Sequence, residues 1–174
     1  MADLFIISDT HFGHSRILGF ENADGSSVRS FTSVEEMDQT MVDRWNSVVS
    51  PSSHVYHLGD VAMRKEHLVT VGRCNGHKRL VRGNHDIFRT KDYLKYFEEI
   101  YACRVLDKML FTHIPIHPES MGRFWVNVHG HVHGLPQGTY GPKYYNASVE
   151  VMDFTPISLE DLKKRIEKFK EEYD

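Results

Sequence analysis

A chain of 174 residues with 40% apolar content is long enough to bury a core and short for two, so a single domain over 1–174 is expected. Its 21 Lys and Arg against 24 Asp and Glu leave a formal charge of -3, which excludes a broad basic surface for tight duplex-DNA binding; a polyanion must be attracted locally. Cys74 and Cys103 form no CxxC pair and suit buried free thiols in a reducing compartment, and no apolar run reaches a membrane span or signal segment. A cytoplasmic protein without a membrane partner is the expectation.

In chain order, Leu4 to Ile7 is a near-continuous apolar run, read as a strand buried on both faces, and it leads into Ser8-Asp9-Thr10-His11. Residues 19–31 are rich in Gly, Ser, Asn and charge and read as a loop. Ser33 with Glu36 makes a capping box for a helix to about Val49, with Val34, Met37, Met41, Trp45 and Val48 on its apolar face. Pro51 stops that helix, and His54 to Leu58 reads as a second strand followed at once by Gly59-Asp60. A short helix over 64–71 ends at the Asn75-Gly76 turn, and Arg79-Leu80-Val81 is a third strand running into Gly83-Asn84-His85-Asp86. Three strands thus end in polar, chemistry-bearing residues.

The second half reads as β-hairpins. Residues 100–106 and 109–112, parted by Asp107-Lys108, look like paired strands leading into His113, and 124–128 leads into Gly130-His131-Val132-His133. A Gly, Pro and Tyr loop over 135–142, strand-like residues 144–153, and a helix from Leu159 to about Lys170 capped by Ser158 complete the chain. With no repeat and no linker, two packed sheets with helices outside are the expected α/β arrangement.

Counted by type, the polar ends offer two carboxylates (Asp9, Asp60), one amide oxygen (Asn84) and four imidazoles (His11, His113, His131, His133). That is enough for two divalent ions sharing a ligand. A carboxylate after a strand-end glycine can reach two ions and lower their mutual repulsion, so Asp60 is the expected bridge. The imidazoles of His131 and His133, two residues apart, cannot share a helix face, which excludes a helical zincin site. Nitrogen and oxygen donors without thiolate suit Mn first, with Fe, Zn, Ni or Co as alternatives.

These blocks, DTH, GD, GNHD, a lone His and GHVH in that order, resemble the calcineurin-like metallophosphoesterase superfamily. The resemblance implies a four-layer αββα sandwich of two packed mixed β-sheets flanked by helices. It implies one ion on Asp9, His11, Asp60 and His133 and a second on Asp60, Asn84, His113 and His131, together activating a hydroxide that cleaves phosphoesters. It also implies that His85 faces substrate, where an imidazole suits a general acid, with Asp86 holding its other nitrogen. One departure stands out: many relatives read GDxxDR, whereas Met63 here occupies the place of the acid before Arg64 and reads as a packing residue.

Around this set, His14 reads equally as a substrate contact or a surface residue, His129 as a group that orients a ligand imidazole, and His57 as a satisfied core residue. His54, His67, His77 and His117 read as solvent-facing or turn residues. Arg16, Arg64, Arg82, Arg123 and Lys143 are candidate phosphate contacts, of which one or two are expected to serve. Tyr140, Tyr144 and Tyr145 either stack on a base or pack into the core, and Asn146 supports the site. With no cap insertion the site should be open, favouring phosphodiesters of nucleotides, cyclic nucleotides or single-stranded nucleic acid. A phosphomonoesterase is the alternative; a non-catalytic scaffold would show a gap in the ligand set, and none is present.

Overall fold

The apolar runs of the first half become four parallel strands in the computed structural model, which describes residues 3–22 and 24–172. They are β1 (Leu4–Ile7), β2 (His54–His57), β3 (His77–Val81) and β4 (Glu99–Tyr101). A second sheet holds β5 (Arg104–Leu106), β6 (Met109–Phe111), β7 (Val126–His129) and β8 (Tyr144–Asn146), in that spatial order. The short β9 (Ile157–Ser158) returns antiparallel to β1, so the first sheet runs β4-β3-β2-β1-β9. The fold is therefore α/β, with two mixed sheets packed face to face and flanked by helices.

Strand alternation explains why β1 is apolar at nearly every position. Phe5, Ile7, Val55 and Leu80 face a layer made by α1 (Val34–Val48), α2 (Leu68–Val71) and α3 (Thr90–Tyr93), where Met37, Met41, Trp45, Val71 and Tyr93 are buried. Ile6, Tyr56 and Val81 face the other way, onto Met109, Phe111, Val126, Val128 and Tyr145 of the second sheet. The last helix, α4 (Leu159–Glu171), adds Leu162 and Ile166 to that inter-sheet core. Its Ser158 cap accepts from the Asp161 N–H, as its sequence suggests.

Several expectations are corrected. Ser33 Oγ does accept from the Glu36 N–H, but the Glu36 carboxylate returns to Thr32 rather than closing the box on Ser33. Val42 is buried on the apolar face of α1, while Val48 is 42% exposed. Cys74 is buried but Cys103 is exposed. Among the described residues the second half contains one hairpin, β5 to β6, turned by Asp107 and Lys108 with φ of 48° and 63°. The run 100–106 splits between sheets, β4 pairing parallel to β3, and β6, β7 and β8 are mutually parallel. The connections 112–125 and 130–143 supply roughly the dozen residues that a parallel return needs. The strand-like stretch 144–153 keeps its strand only to Asn146, and Val149–Val151 is a 3-10 turn.

The fourth layer of the expected sandwich is thin. On the outer face of the second sheet, Asn127 Oδ1 accepts from the Ile116 N–H at 3.0 Å and the Tyr144 hydroxyl donates to the Ile116 carbonyl at 3.0 Å. The same connection carries one 3-10 turn, Pro118–Ser120. Among the described residues no helix is long and apolar enough to cross a membrane.

Candidate metal centre

Because β1, β2, β3, β6 and β7 are parallel within their sheets, their C-terminal ends deliver polar loops to one shared edge, the usual place for a site in such folds. The loops are laced by backbone hydrogen bonds: Asp9 N–H to the Gly59 carbonyl at 3.0 Å, His11 N–H to that of Asp60 at 3.0 Å, and Gly130 N–H to that of His113 at 2.9 Å. A bridge between Ser8 and Ser148 joins the ends of the two sheets. Close approach dictates the motif glycines. A Cβ on Gly59, whose φ is 101°, would stand 2.5 Å from the Gly83 nitrogen, and one on Gly130 would stand 2.0 Å from Ser8 Oγ.

Of the seven expected ligands, five hold left-handed backbone: Asp9 (φ 60°), His11 (47°), Asp60 (57°), His131 (71°) and His133 (48°). Non-glycine residues rarely adopt this region, and five of the nine that do so among the described residues lie in this cluster, which makes it the candidate site.

Asp60 Oδ2 lies 3.5 Å from His11 Nε2 and 3.3 Å from His113 Nε2, midway between the two halves of the cluster. Its Oδ1 accepts the His85 N–H at 2.9 Å. On one side, Asn84 Oδ1 is 2.9 Å from His113 Nε2 and 3.0 Å from His131 Nδ1. His113 Nδ1 stands 2.8 Å from the Leu58 carbonyl, which fixes that nitrogen as the donor and turns Nε2 inward. On the other side, Asp9, His11 and His133 present ligand atoms all within 4.8 Å of one another. Asp9, Asp60 and His113 do the same, so both carboxylates are central.

The electrostatics ask for a cation. His11 is buried with neither ring nitrogen hydrogen-bonded, and burial, reinforced by the Arg29 charge, pushes its pKa down to about 2. A buried neutral imidazole keeps one ring nitrogen with a free lone pair, which can serve as a donor to a metal ion. Burial raises the Asp9 carboxyl. Burial also opposes charge on His113 and on Asp60, yet their hydrogen bond and mutual attraction win, raising the imidazole and lowering Asp60 to about 2. The donor set and the orphaned His11 nitrogens fit a pair of divalent metal ions.

His85 is exposed at the mouth, its ring edge-on to His11 at 5.7 Å. The role expected of Asp86 is corrected. Its Oδ2 accepts the N–H groups of Asp60 and Gly83, both at 2.8 Å, and its Oδ1 that of Val61 at 3.0 Å. The buried carboxylate therefore ties three backbone N–H groups from two segments, 60–61 and 83, and does not hold His85, which is exposed where Asp86 is buried. His129 is also corrected, since its Nδ1 stands 2.9 Å from the Gly130 carbonyl and its ring lies against Tyr140 and Tyr144. His57 accepts the Gly59 N–H on Nδ1 at 3.1 Å, so Nε2 donates to Thr10 Oγ1 at 2.9 Å, which in turn donates to the Val61 carbonyl.

Arg82 is committed to the carbonyls of Asp86 (2.6 Å) and Phe88, and Arg16, Arg64 and Arg123 are exposed. Tyr145 packs between the sheets and Tyr144 is buried, leaving Tyr140 exposed; Met63 is half-buried. Asn146 Nδ2 donates to the carbonyls of His133 at 2.7 Å and Leu135 at 3.0 Å, supporting the GHVH loop as expected. His14 stands 5.5 Å from the His11 ring with a buried, unpartnered Nδ1.

Two residues escaped the sequence reading. Arg29, fully buried, and Glu150 meet each other and His133 at the back of the cluster. They lie 121 positions apart in no motif, and a single sequence carries no signal that pairs them.

No family model matches the chain. It is 34% identical to an uncharacterized protein, MJ1445, of Methanocaldococcus jannaschii, an alignment covering 98% of this chain and 94% of that protein. The Gene 66 protein of Mycobacterium phage L5 is 36% identical over 91 residues, 49% of this chain and 41% of the phage protein. Among solved structures, a protein of unknown function from Aquifex aeolicus, AQ665, superposes with a TM-score of 0.74 at 29% identity, covering 94% of this chain and 99% of that one.

Proposed function

The chain belongs to the family of the M. jannaschii protein MJ1445, and from the cluster it carries we propose that it is a binuclear metal-dependent phosphodiesterase of the calcineurin-like kind. Its substrates would be phosphodiesters of nucleotides or single-stranded nucleic acid. The observation that carries this reading is the position of Asp60 Oδ2, within 3.5 Å of His11 Nε2 and 3.3 Å of His113 Nε2, which suits one oxygen shared by two ions. Asp9, His11, Asp60 and His133 would hold one ion, and Asp60, Asn84, His113 and His131 the other. Bound there, divalent ions supply Lewis acidity toward phosphoryl oxygens and a lowered pKa for an attacking water.

The residues of the chain do the rest. The left-handed loops and the Asp86 clamp hold the ligands before substrate arrives, so little reorganisation is left for the reaction itself. The exposed His85 imidazole, on a backbone tied to Asp60, protonates the departing oxygen. A diester is favoured over a monoester because the second charge of a monoester calls for an added cation, and Arg82 beside the GNHD block is already spent on carbonyl groups.

Chelator-stripped protein should be inactive, and Mn²⁺ should restore turnover better than Mg²⁺. An aryl phosphodiester should show a higher specificity constant than the matching monoester at neutral pH. Tenfold preference for the monoester would move the assignment to a phosphomonoesterase, and full activity with no metal bound would overturn the two-ion reading. Asp60→Asn should lose both ions together.

A further inference from the structure

Behind the cluster lies a buried ion pair, and we infer that Arg29 and Glu150 are positioning residues for the ion of Asp9, His11 and His133, and not for its neighbour. This rests on the two-ion reading above. The side chains are 0% and 4% exposed. Glu150 Oε1 accepts from Arg29 Nε at 2.9 Å and Nη2 at 2.7 Å, and stands 2.9 Å from His133 Nδ1. Nη2 also donates to the carbonyl of Asp9 at 2.5 Å, and Nη1 donates to that of Thr10 at 2.9 Å.

The pair therefore grips the site from two directions. Arg29 fixes the backbone that carries Asp9 and leads into His11. Glu150 fixes the His133 ring, taking its Nδ1–H and leaving Nε2 with the lone pair that a metal requires. The side chains of Asn84, His113 and His131 are held differently, by one another and by the Leu58 carbonyl. A planar fork is needed for this work, since the guanidinium addresses a carboxylate and two carbonyls at fixed angles, which an ammonium on a flexible stem does not do.

Stability alone gives a poor account of the pair. Two charges removed from water are frequently outdone by apolar side chains of similar volume, whereas their geometry cannot be reproduced by such side chains. The positioning role also explains why Glu150 approaches a histidine ring 17 residues away instead of turning to solvent.

The test compares metal-free wild type, Glu150→Gln, which keeps the size and an acceptor but loses the charge, and the double variant Arg29→Met with Glu150→Met, which removes both charges and retains packing. Each is titrated with Mn²⁺ by calorimetry, metal content is measured after dialysis, and unfolding in urea is followed without metal. Wild type should bind two ions. Both variants should keep one ion at wild-type affinity and bind the other about tenfold to a hundredfold more weakly. The double variant should unfold no earlier than wild type. Equal weakening of both ions, or unchanged binding of both, overturns the positioning role while leaving the two-ion reading in place. A wild-type protein that takes up fewer than two ions overturns the two-ion reading and the positioning role with it.

Discussion

The carboxylate of Asp86 accepts the backbone N–H of Asp60 at 2.8 Å, so the residue that follows His85 is fixed to the residue standing between the two halves of the cluster. Two further backbone donors, from Gly83 and Val61, bond to the same carboxylate. Asp86→Asn would turn an amide NH₂ toward one or two of these N–H groups. We expect a loss of stability of about 2–3 kcal/mol, with reduced metal content. Urea unfolding and metal analysis check it. A variant of unchanged stability with only an altered pH–rate profile would return Asp86 to the His85 side chain.

His85 meets the expected ligands through its backbone N–H, bonded to Asp60 Oδ1, and through its ring, which is edge-on to His11 and open to solvent. His85→Ala should lower turnover on the order of a hundredfold for a diester with a poor leaving group while both ions stay bound. For an activated aryl leaving group, which departs without a proton, the loss should be much smaller. Equal losses on the two substrates would remove His85 from the role of general acid.

His57 links stability to pH. Burial pushes its pKa from 6.5 down to about 3, and its hydrogen bonds are those of the neutral ring. Above 6.5 neither state is charged and the hydrogen bonds of the neutral His57 ring are in place. As pH falls below 6.5, the unfolded chain takes up a proton that the folded chain refuses, so stability drops by up to about 1.4 kcal/mol per pH unit until the folded pKa near 3 is reached. His11 and His129, lowered to about 2 and about 4, act in the same direction. Urea midpoints of metal-free protein at pH 7, 6 and 5 should fall steadily, and His57→Gln should flatten the slope by the share of one proton. An unaltered slope would mean that His57 is charged in the fold.

The parts of this molecule legible in its sequence are those governed by local rules. Leu4 to Ile7 is apolar at consecutive positions because both faces of β1 are covered, and Ser33 and Ser158 announce their helices because a cap bonds only three residues ahead. The candidate ligands could be counted because each block lies within a few residues of a strand end. What stayed hidden depends on contacts between distant segments. The partner of β4 is β3, not the adjacent β5, and the two-residue β9 is too short to carry a pattern. Asp86 looked like the partner of His85 because it is next to it, yet the turn sends one side chain inward and the other out. Left-handed backbone at Asp9, Asp60 and His133 is likewise not fixed by residue type, since Asp and His enter that region more readily than other side chains but still in a small minority of their positions.

The bridge between Ser8 and Ser148 lies where the ends of β1 and β8 meet, and the cluster straddles that seam. Asp9 and Asp60 come from the first sheet, His113 and His131 from loops of the second, so separating the sheets at this edge means pulling the donors apart. An ion held there works as a clasp. At a hundredfold excess over its dissociation constant it would add about 2.7 kcal/mol to the cost of opening this edge. On the two-ion reading, the same edge would be the first to loosen in a metal-poor medium, so supply of the ion would set the lifetime of the fold.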